Sequence, residues 1–254
     1  MKSFVMMLSF FTRIPVKATD SIDENAYRKG IKWLPVIGLL LGAATGAVSL
    51  LRCVAGPYLT AFLAVLAYLL LTGGLHADGL ADTADAFGAR RDREKTLAIF
   101  KDSHIGALGA LALIVLVVGD TVALTDAGQA VWLFPLAGRA TALLAARMFP
   151  CARPGGLGQW FIDGVKWTHV IFAAMLYAAA ACALSVDFGQ KVWMLPVFAG
   201  MVSAFVLAAG LVLLIVSRFS RRIGGITGDI VGFSVEASQL IYLLAAAVLH
   251  GVFK

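Results

Sequence analysis

Residues Gly73 to Gly109 read GGLHADGLADTADAFGARRDREKTLAIFKDSHIGALG, and they form the longest polar interval of a chain that is otherwise mostly apolar. Apolar windows at about 57–73 and 105–125 border this interval on its two sides. Because about 20 apolar residues are needed to cross a bilayer, the interval predicts a polar connection between two membrane-length helices.

The acidic residues of this interval have a helical spacing. Asp78, Asp82 and Asp85 lie four and three positions apart, and Asp102 follows later in the interval. On a helix this spacing aligns three carboxylates along one face, where like charges repel unless cations lie among them. Mg²⁺ takes oxygen ligands of this kind, usually alongside substrate phosphates. The sequence therefore predicts that Asp78, Asp82 and Asp85 bind Mg²⁺, with Asp102 as a further ligand or as an orienting group.

The composition indicates an integral membrane protein. Of the 254 residues, 60% are apolar and only 14% are charged, and the mean hydropathy is +0.88. Soluble domains carry about a quarter charged residues. We expect one all-α domain over residues 1–254, with a helical N-terminal segment at the membrane interface and short cytoplasmic helices. The stretch Asp20-Ser-Ile-Asp23 could cap one of these short helices, running through Tyr27.

Seven windows approach or reach membrane-spanning length. They are about 33–51, 57–73, 105–125, 130–148, 169–186, 192–217 and 232–252. With the N-terminus in the cytoplasm, 17 of the 21 Lys and Arg residues lie on the cytoplasmic side and three on the other. This asymmetry predicts a cytoplasmic N-terminus, an outside C-terminus and cytoplasmic polar loops. The same asymmetry explains the net charge of +6, so no nucleic-acid partner is needed to explain it.

Small residues and cysteines favour structural roles. Gly38, Gly42 and Gly46 recur every four positions, a spacing that allows close helix packing in lipid. The three cysteines are scattered and form no CxxC pattern, so neither a disulfide framework nor a zinc site is expected.

Three further polar features lie outside the opening interval. Arg139 lies within a predicted span, where an unpaired charge is costly, so it should either pair with Asp120 or face an anionic ligand. The loop at 153–159 carries three glycines that could bind a phosphate or simply form a turn. Thr227-Gly228-Asp229 begins the last helical window, either as a helix cap or, as we favour, as part of a functional site.

His76 precedes the aspartates but lies off their helical face. It could act as a general base, since an unperturbed histidine titrates near pH 6.5. Alternatively it could donate a hydrogen bond to an aspartate or a phosphate. Because neighbouring carboxylates favour protonated histidine, Asp82 or Asp85 is the stronger candidate for the base.

Several motifs together resemble the cobalamin synthase family, whose members are also called adenosylcobinamide-GDP ribazoletransferases. They are Gly74-Leu-His-Ala-Asp-Gly-Leu-Ala-Asp-Thr-Ala-Asp85, Lys101-Asp102-Ser103-His-Ile-Gly106 and Gly225-Ile-Thr-Gly-Asp229, joined by Phe11-Thr-Arg-Ile-Pro15 and Gly138-Arg139. The resemblance covers nearly the whole chain, and its central motif is highly specific.

The resemblance implies a multi-pass inner-membrane enzyme that requires Mg²⁺. Its substrates would be adenosylcobinamide-GDP and α-ribazole or α-ribazole 5′-phosphate, and GMP would be released with the cobalamin product. The resemblance leaves open whether the protein forms a homo-oligomer or a complex with other enzymes of nucleotide-loop assembly. Within this scheme, catalytic roles are predicted for His76, Asp82 and Asp85, and substrate contacts for Arg90, Lys101, Ser103, Arg139, Thr227, Gly228 and Asp229.

A looser likeness connects residues 82–90 with the CDP-alcohol phosphotransferases, whose motif begins D-x-x-D-G-x-x-A-R. Ala86 replaces the first glycine of that motif, and its second acidic part is absent. A transporter is a further alternative, but its polar residues should cluster at the midplane of paired repeats. Here they cluster at one face, and no internal repeat is visible.

Overall fold

Helices make up nearly all of the computed structural model, which describes residues 2–16, 23–88, 92–102, 104–187 and 192–252. In chain order the α-helices of these residues are α1 (Lys2–Phe11), α2 (Glu24–Gly30), α3 (Leu34–Ser49), α4 (Arg52–Ala55), α5 (Pro57–Thr72), α6 (Leu75–Gly88), α7 (Arg93–Ile99), α8 (Ala107–Leu124), α9 (Phe134–Met148), α10 (Gly156–Gly164), α11 (Trp167–Leu184), α12 (Leu195–Ile223) and α13 (Gly228–Val252). Two 3₁₀ turns, Ile31–Trp33 and Gly128–Trp132, and one antiparallel pair of two-residue strands, Val186–Asp187 with Val192–Trp193, complete the described part. The predicted all-α class is confirmed.

Among the described residues, five helical segments are long and apolar enough to cross a membrane: the run Glu24–Ala55, α8, α11, α12 and residues 228–250 of α13. A sixth is reached if α5 and α6, which meet at a 94° bend, count as one span. The predicted window at 130–148 contains the 15-residue α9, which is shorter than the roughly 20 residues a span needs. The structure supports a multi-pass membrane protein, and the count of seven spans is not confirmed.

The N-terminal segment forms the predicted helix. On α1, Met6, Met7, Leu8 and Phe11 are buried, and α1 packs against α2 and α3. The side chain of Asp23 accepts a hydrogen bond from the backbone N–H of Ala26 at 3.0 Å. The predicted cap of α2 is therefore confirmed, and it fixes where the chain turns toward α3.

The glycines of α3 serve helix packing, as predicted. A Cβ atom on Gly38 would lie 2.9 Å from the Cα of Leu136 in α9, and one on Gly46 would collide with the ring of Trp132. Side chains at these positions would force α3 away from α9. This close packing brings Arg139 of α9 into the middle of the bundle, where its side chain is fully buried.

Two glycines break the chain between α5 and α6. Gly73 and Gly74 have φ angles of 65° and 70°, a left-handed conformation that glycine adopts without steric cost. The side chain of Arg13 lies over Gly73, and its backbone N–H donates to the carbonyl of Leu71 at 2.7 Å. The break turns α6 by 94° across the end of α5, so the aspartates of α6 lie at one end of the bundle.

The packing of α6 on α13 depends on two more glycines. A Cβ on Gly79 would lie 2.6 Å from the carbonyl oxygen of Asp229, and one on Gly232 would lie 3.3 Å from the carbonyl oxygen of His76. The two backbones therefore approach closely at this crossing. This approach brings the aspartates of α6 next to the start of α13.

Candidate active site

A cleft of about 860 Å³, here called the main cleft, opens at the break between α5 and α6. Its charged lining comes from three parts of the chain: Arg13 after α1, Asp78 and Asp82 on α6, and Lys101 and Asp102 after α7. Residues far apart in the sequence thus bring carboxylates and cations to one cavity. This combination suits a ligand that carries phosphate groups and binds through a metal ion.

Asp78 and Asp82 occupy the face of α6 that the sequence predicts. They are one helical turn apart, and both line the main cleft. Asp78 is exposed and Asp82 is half-buried. The carboxylates of Asp78, Asp229 and Asp85 all act electrostatically on Asp82. A cation bound in this region would offset that repulsion.

Asp229 joins this acidic group from α13. It lines a second cavity of about 210 Å³, here called the side pocket, together with His76 and Asp78. The hydroxyl of Thr227 donates a hydrogen bond to the Asp229 carboxylate at 3.1 Å. Asp78 is therefore shared by the main cleft and the side pocket. The predicted Thr227-Gly228-Asp229 feature lies beside the aspartates of α6.

The carboxylate of Asp85 has a different environment. Its two oxygens accept hydrogen bonds from the backbone N–H groups of Gly106, at 2.7 Å, and Gly109, at 2.9 Å. Asp85 therefore caps the N-terminus of α8, and it does not line the main cleft. A Cβ on either glycine would collide with this carboxylate. These contacts give Asp85 a structural role that the spacing of the aspartates does not predict.

Lys101 and Asp102 also line the main cleft, and both side chains are exposed. His104 donates to Asp102 Oδ1 through its backbone N–H at 3.0 Å, and its ring Nδ1 lies 2.6 Å from the same oxygen. Together these two hydrogen bonds hold the pKa of the Asp102 carboxyl below its usual value, and the side-chain bond has the larger effect. Asp102 is therefore a carboxylate at neutral pH.

His76 is buried and lies outside the main cleft. Its ring stacks on Phe11 with centroids 5.7 Å apart, and it lines the side pocket. Its Nδ1 is 3.9 Å from Glu236 Oε1, beyond hydrogen-bond distance, and has no hydrogen-bond partner within the described residues. His76 is thus buried whereas Asp78 is exposed, although both line the side pocket; its role stays a prediction.

Arg139 belongs to a buried polar cluster inside the bundle. Its Nη1 donates to the carbonyl of Pro135 at 2.9 Å, and its guanidinium lies 6.0 Å from the centroid of the Tyr68 ring. The Tyr68 hydroxyl donates to Glu236 Oε1 at 3.0 Å and accepts from Gln239 Nε2 at 2.9 Å. The nearby acid is thus Glu236 of α13.

Of the two alternatives stated for Arg139, the pairing with Asp120 does not match these contacts, and the contact with an anionic ligand stays a prediction. Across the described ranges no ion pair joins it to Asp120, and it lines neither the main cleft nor the side pocket. The pairing with Asp120 is therefore wrong. The reason is that Tyr68 and Glu236, distant in sequence, supply the polar surroundings of Arg139.

The glycine-rich loop at 153–159 makes a turn before α10. Gly155 and Gly156 have φ angles of 91° and 80°, and the N–H of Gly155 donates to Gln159 Oε1 at 2.6 Å. That amide is therefore already used within the loop. A Cβ on Gly158 would lie 3.0 Å from the nitrogen of Gly228. The loop thus packs against the start of α13 beside the side pocket.

Arg13 and Arg153 were not singled out as substrate contacts by the sequence, yet both lie at the site. Arg13 lines the main cleft, and Arg153 acts electrostatically on Asp229. Arg153 Nη1 is buried without a hydrogen-bond partner in the part of the chain that the structure describes. In the sequence, Arg13 could have been found from its place in a motif of the family resemblance, and Arg153 from its place in the glycine-rich loop. The predicted contacts Arg90 and Ser103 lie outside the described residues.

Within the described ranges, no three His, Cys, Asp or Glu residues are close enough together to hold a metal ion by themselves. The predicted quartet of Asp78, Asp82, Asp85 and Asp102 therefore does not form one closed metal shell. An open site remains compatible with this arrangement, because Mg²⁺ commonly binds through one or two carboxylates plus substrate phosphates and water.

Comparisons with known proteins agree with the motifs. Residues 3–247 match the family described as cobalamin-5-phosphate synthase. The chain is 35% identical to an adenosylcobinamide-GDP ribazoletransferase of Alkaliphilus oremlandii, with 99% of each chain covered. It is 36% identical to a protein of the same name from Escherichia coli strain K12, with 96% of this chain and 98% of that one covered. No solved structure matches the chain.

Proposed function

The chain belongs to the cobalamin-5-phosphate synthase family, and from that premise we propose that it is a Mg²⁺-dependent adenosylcobinamide-GDP ribazoletransferase. The observation that carries the mechanism is the position of Asp78. It lines both the main cleft, with Asp82, and the side pocket, with Asp229. A substrate phosphate at this junction meets carboxylates from α6 and α13 at once.

The proposed reaction is a phosphoryl transfer. A ribose hydroxyl of α-ribazole, or of its 5′-phosphate, attacks the phosphorus that bears the cobinamide. A new P–O bond forms, the bridging P–O bond to the guanosine phosphate breaks, and GMP leaves with the bonding electrons. The hydroxyl proton passes to a base. Such transfers depend mainly on positioning and on neutralising phosphate charge.

The side chains at the junction fit Mg²⁺. Asp78 and Asp82 are carboxylates on one cavity wall, and the absence of a closed protein shell in the described residues leaves room for phosphate oxygens. Asp78 and Asp82 would hold the ion, with Asp229 on the adjoining side. When bound, Mg²⁺ would neutralise phosphate charge and align the diphosphate. Asp85 would instead hold α8 in place, and Asp102 would orient the loop of Lys101 through its bonds with His104.

Cations at the site would contact the phosphates directly. Lys101 and Arg13 both line the main cleft. Arg153 lies near Asp229 with a buried, unpartnered Nη1, and a phosphate oxygen is a suitable acceptor for it. We assign phosphate binding to these three residues and positioning of α13 to Thr227 and Gly228.

The proton acceptor is assigned to α6. Asp82 lies on the main cleft, where the attacking hydroxyl must reach the phosphate. His76 is buried and faces only the side pocket, so an orienting role is favoured for it over that of the base. His76→Asn, which keeps a hydrogen-bonding side chain, should then retain more activity than His76→Ala.

The orientation in the membrane is part of the proposal. The excess of basic residues supports a cytoplasmic N-terminus and a cytoplasmic main cleft in the cell inner membrane. Water-soluble GMP would then be released into the cytoplasm. Cysteine labelling that reached residues 74–104 from the outside would contradict this orientation.

The test of the proposal is an assay on purified protein in detergent. With adenosylcobinamide-GDP, α-ribazole and Mg²⁺, it should release GMP and form adenosylcobalamin in equal amounts. Omission of α-ribazole or chelation of Mg²⁺ should stop both. GMP release without transfer to α-ribazole would mean hydrolysis, and full activity in a chelator would remove Mg²⁺ from the mechanism.

A further inference from the structure

Two surface cavities flank the N-terminus of α11, and neither shares a residue with the main cleft or the side pocket. One, of about 640 Å³, is lined by Arg147, Lys166 and Trp167 among others. The other, of about 480 Å³, is lined by Lys32 and Trp33. We call the two together the α11 basic pockets. Arg147 lies near the end of α9, Lys32 and Trp33 lie in the 3₁₀ turn before α3, and α11 packs against both elements.

The cations of these pockets are arranged around tryptophan rings. The guanidinium of Arg147 lies 5.2 Å from the centroid of the Trp167 ring, and the ammonium of Lys32 lies 5.3 Å from that of Trp33. Lys32 and Lys166 both act electrostatically on His169, so the two pockets are electrostatically connected. Tryptophan beside a cation is typical of the level of lipid headgroups.

The positive charge of the pockets is not balanced locally. Among the described residues, no carboxylate forms an ion pair with Lys32, Arg147 or Lys166. Asp163 also lines the larger pocket, and its Oδ2 accepts a hydrogen bond from the neutral amide of Gln159 at 3.1 Å. Three cations against this one carboxylate give the two pockets a net positive charge, which favours an anionic ligand.

An apolar surface continues from the pockets along the helices. Met148 at the end of α9 and Trp167 at the start of α11 are exposed, and Ile171, Phe172 and Met175 continue the exposed face along α11. This face lies on a helix that is long and apolar enough to cross a membrane. A ligand that fills the pockets with an anionic group thus has room for an apolar tail beside it.

We propose that the α11 basic pockets bind the phosphate headgroup of an anionic phospholipid, with its acyl chains along the exposed face of α11. The shared chemistry, a phosphate between cations, would also suit free phosphate. The apolar face and the two tryptophans favour the lipid, because free phosphate would make no use of them. Basic pockets between spanning helices bind acidic headgroups in this way.

The test is a lipid titration of the full-length protein in neutral detergent, followed by native mass spectrometry. Phosphatidylglycerol should remain bound, whereas phosphatidylcholine should be lost. Arg147→Gln combined with Lys166→Gln should weaken phosphatidylglycerol binding by roughly 30-fold, since each basic residue contributes about 1 kcal/mol at an anionic surface. Lys29→Gln combined with Lys95→Gln, which removes two exposed charges outside the pockets, should bind as the unmodified protein does.

A variant that keeps both charges is the control for misfolding. Arg147→Lys combined with Lys166→Arg should retain phosphatidylglycerol, so loss in the Gln pair but not here assigns the effect to charge. Equal retention of phosphatidylglycerol by the Gln pair and the unmodified protein would overturn the proposal. Displacement of the lipid by millimolar inorganic phosphate would also overturn it, because the pockets would then be phosphate sites. Equal retention of phosphatidylcholine and phosphatidylglycerol would overturn it as well.

Discussion

Gly79 of α6 lies against the backbone of Asp229 of α13, so closely that a Cβ at position 79 would be 2.6 Å from the carbonyl oxygen of Asp229. This contact sets the distance between the two helices that carry the acidic residues of the site. Because a backbone carbonyl cannot rotate away as a flexible side chain can, any side chain at position 79 must move one helix.

Gly79→Ala is therefore expected to disturb both stability and activity. Overpacking of this kind costs about 1–3 kcal/mol, and the shifted α6 would carry Asp78 and Asp82 away from Asp229. We expect a lower melting temperature in detergent and at least about tenfold slower GMP release. Gly210→Ala is the matched control, because a Cβ at Gly210 of α12 meets nothing within 4 Å. Equal behaviour of the two variants would contradict the assigned contact.

Asp82→Asn is expected to lower turnover by roughly 100-fold or more, because an amide is a poor ligand for Mg²⁺ and a poor proton acceptor. Asp78→Asn should act similarly and should raise the Mg²⁺ concentration needed for half-maximal rate. Membrane insertion and melting temperature should change little, since Asp78 and Asp82 line an open cleft and do not cap a helix as Asp85 does. Asp126→Asn, at an exposed position outside both cavities, is the control. Near-normal activity of Asp82→Asn would contradict the site assignment.

Asp85 should behave differently from its two neighbours on α6. Asp85→Ala removes the acceptor of two backbone N–H groups at the start of α8, and the loss of such a cap costs about 0.5–2 kcal/mol. We expect a lower melting temperature with an unchanged Mg²⁺ requirement in the protein that remains folded. Asp85→Asn keeps one acceptor oxygen and should recover part of the stability. A raised Mg²⁺ requirement without loss of stability would show that Asp85 is a metal ligand.

The contrast between Asp82 and Asp85 shows what the sequence could predict. Helical spacing was enough to place Asp78 and Asp82 on one face, because their relation is local to α6. It could not predict the environment of Asp85, whose partners Gly106 and Gly109 come close only when α8 packs on α6. The same holds for Arg139, since Tyr68 and Glu236 lie on other helices. The 15-residue α9 likewise shows that an apolar window need not be one continuous long helix.

The lowered pKa of Asp102 predicts a flat pH response. A carboxyl whose pKa is lowered in the folded protein stabilises it above the unfolded pKa, and this effect is lost only as the pH falls through the folded value. Asp102 should thus stay ionised from pH 6 to 9. The activity ratio of Asp102→Asn to unmodified protein should therefore be constant over this range. A ratio that varied with pH would mean that Asp102 titrates during the reaction.

Arg139 provides the last prediction, because its contacts separate a structural role from the predicted substrate contact. The side chain is fully buried, and it acts electrostatically on both Glu236 and Tyr68. Arg139→Met would remove the cation that acts electrostatically on Glu236 and would break the hydrogen bond to the Pro135 carbonyl, and an unbalanced buried charge destabilises a folded protein. We expect a markedly lower melting temperature. Adding Glu236→Gln should recover much of that loss, because the unbalanced acid is then gone. A substrate contact would instead raise KM at an unchanged melting temperature, and Glu236→Gln would not rescue it.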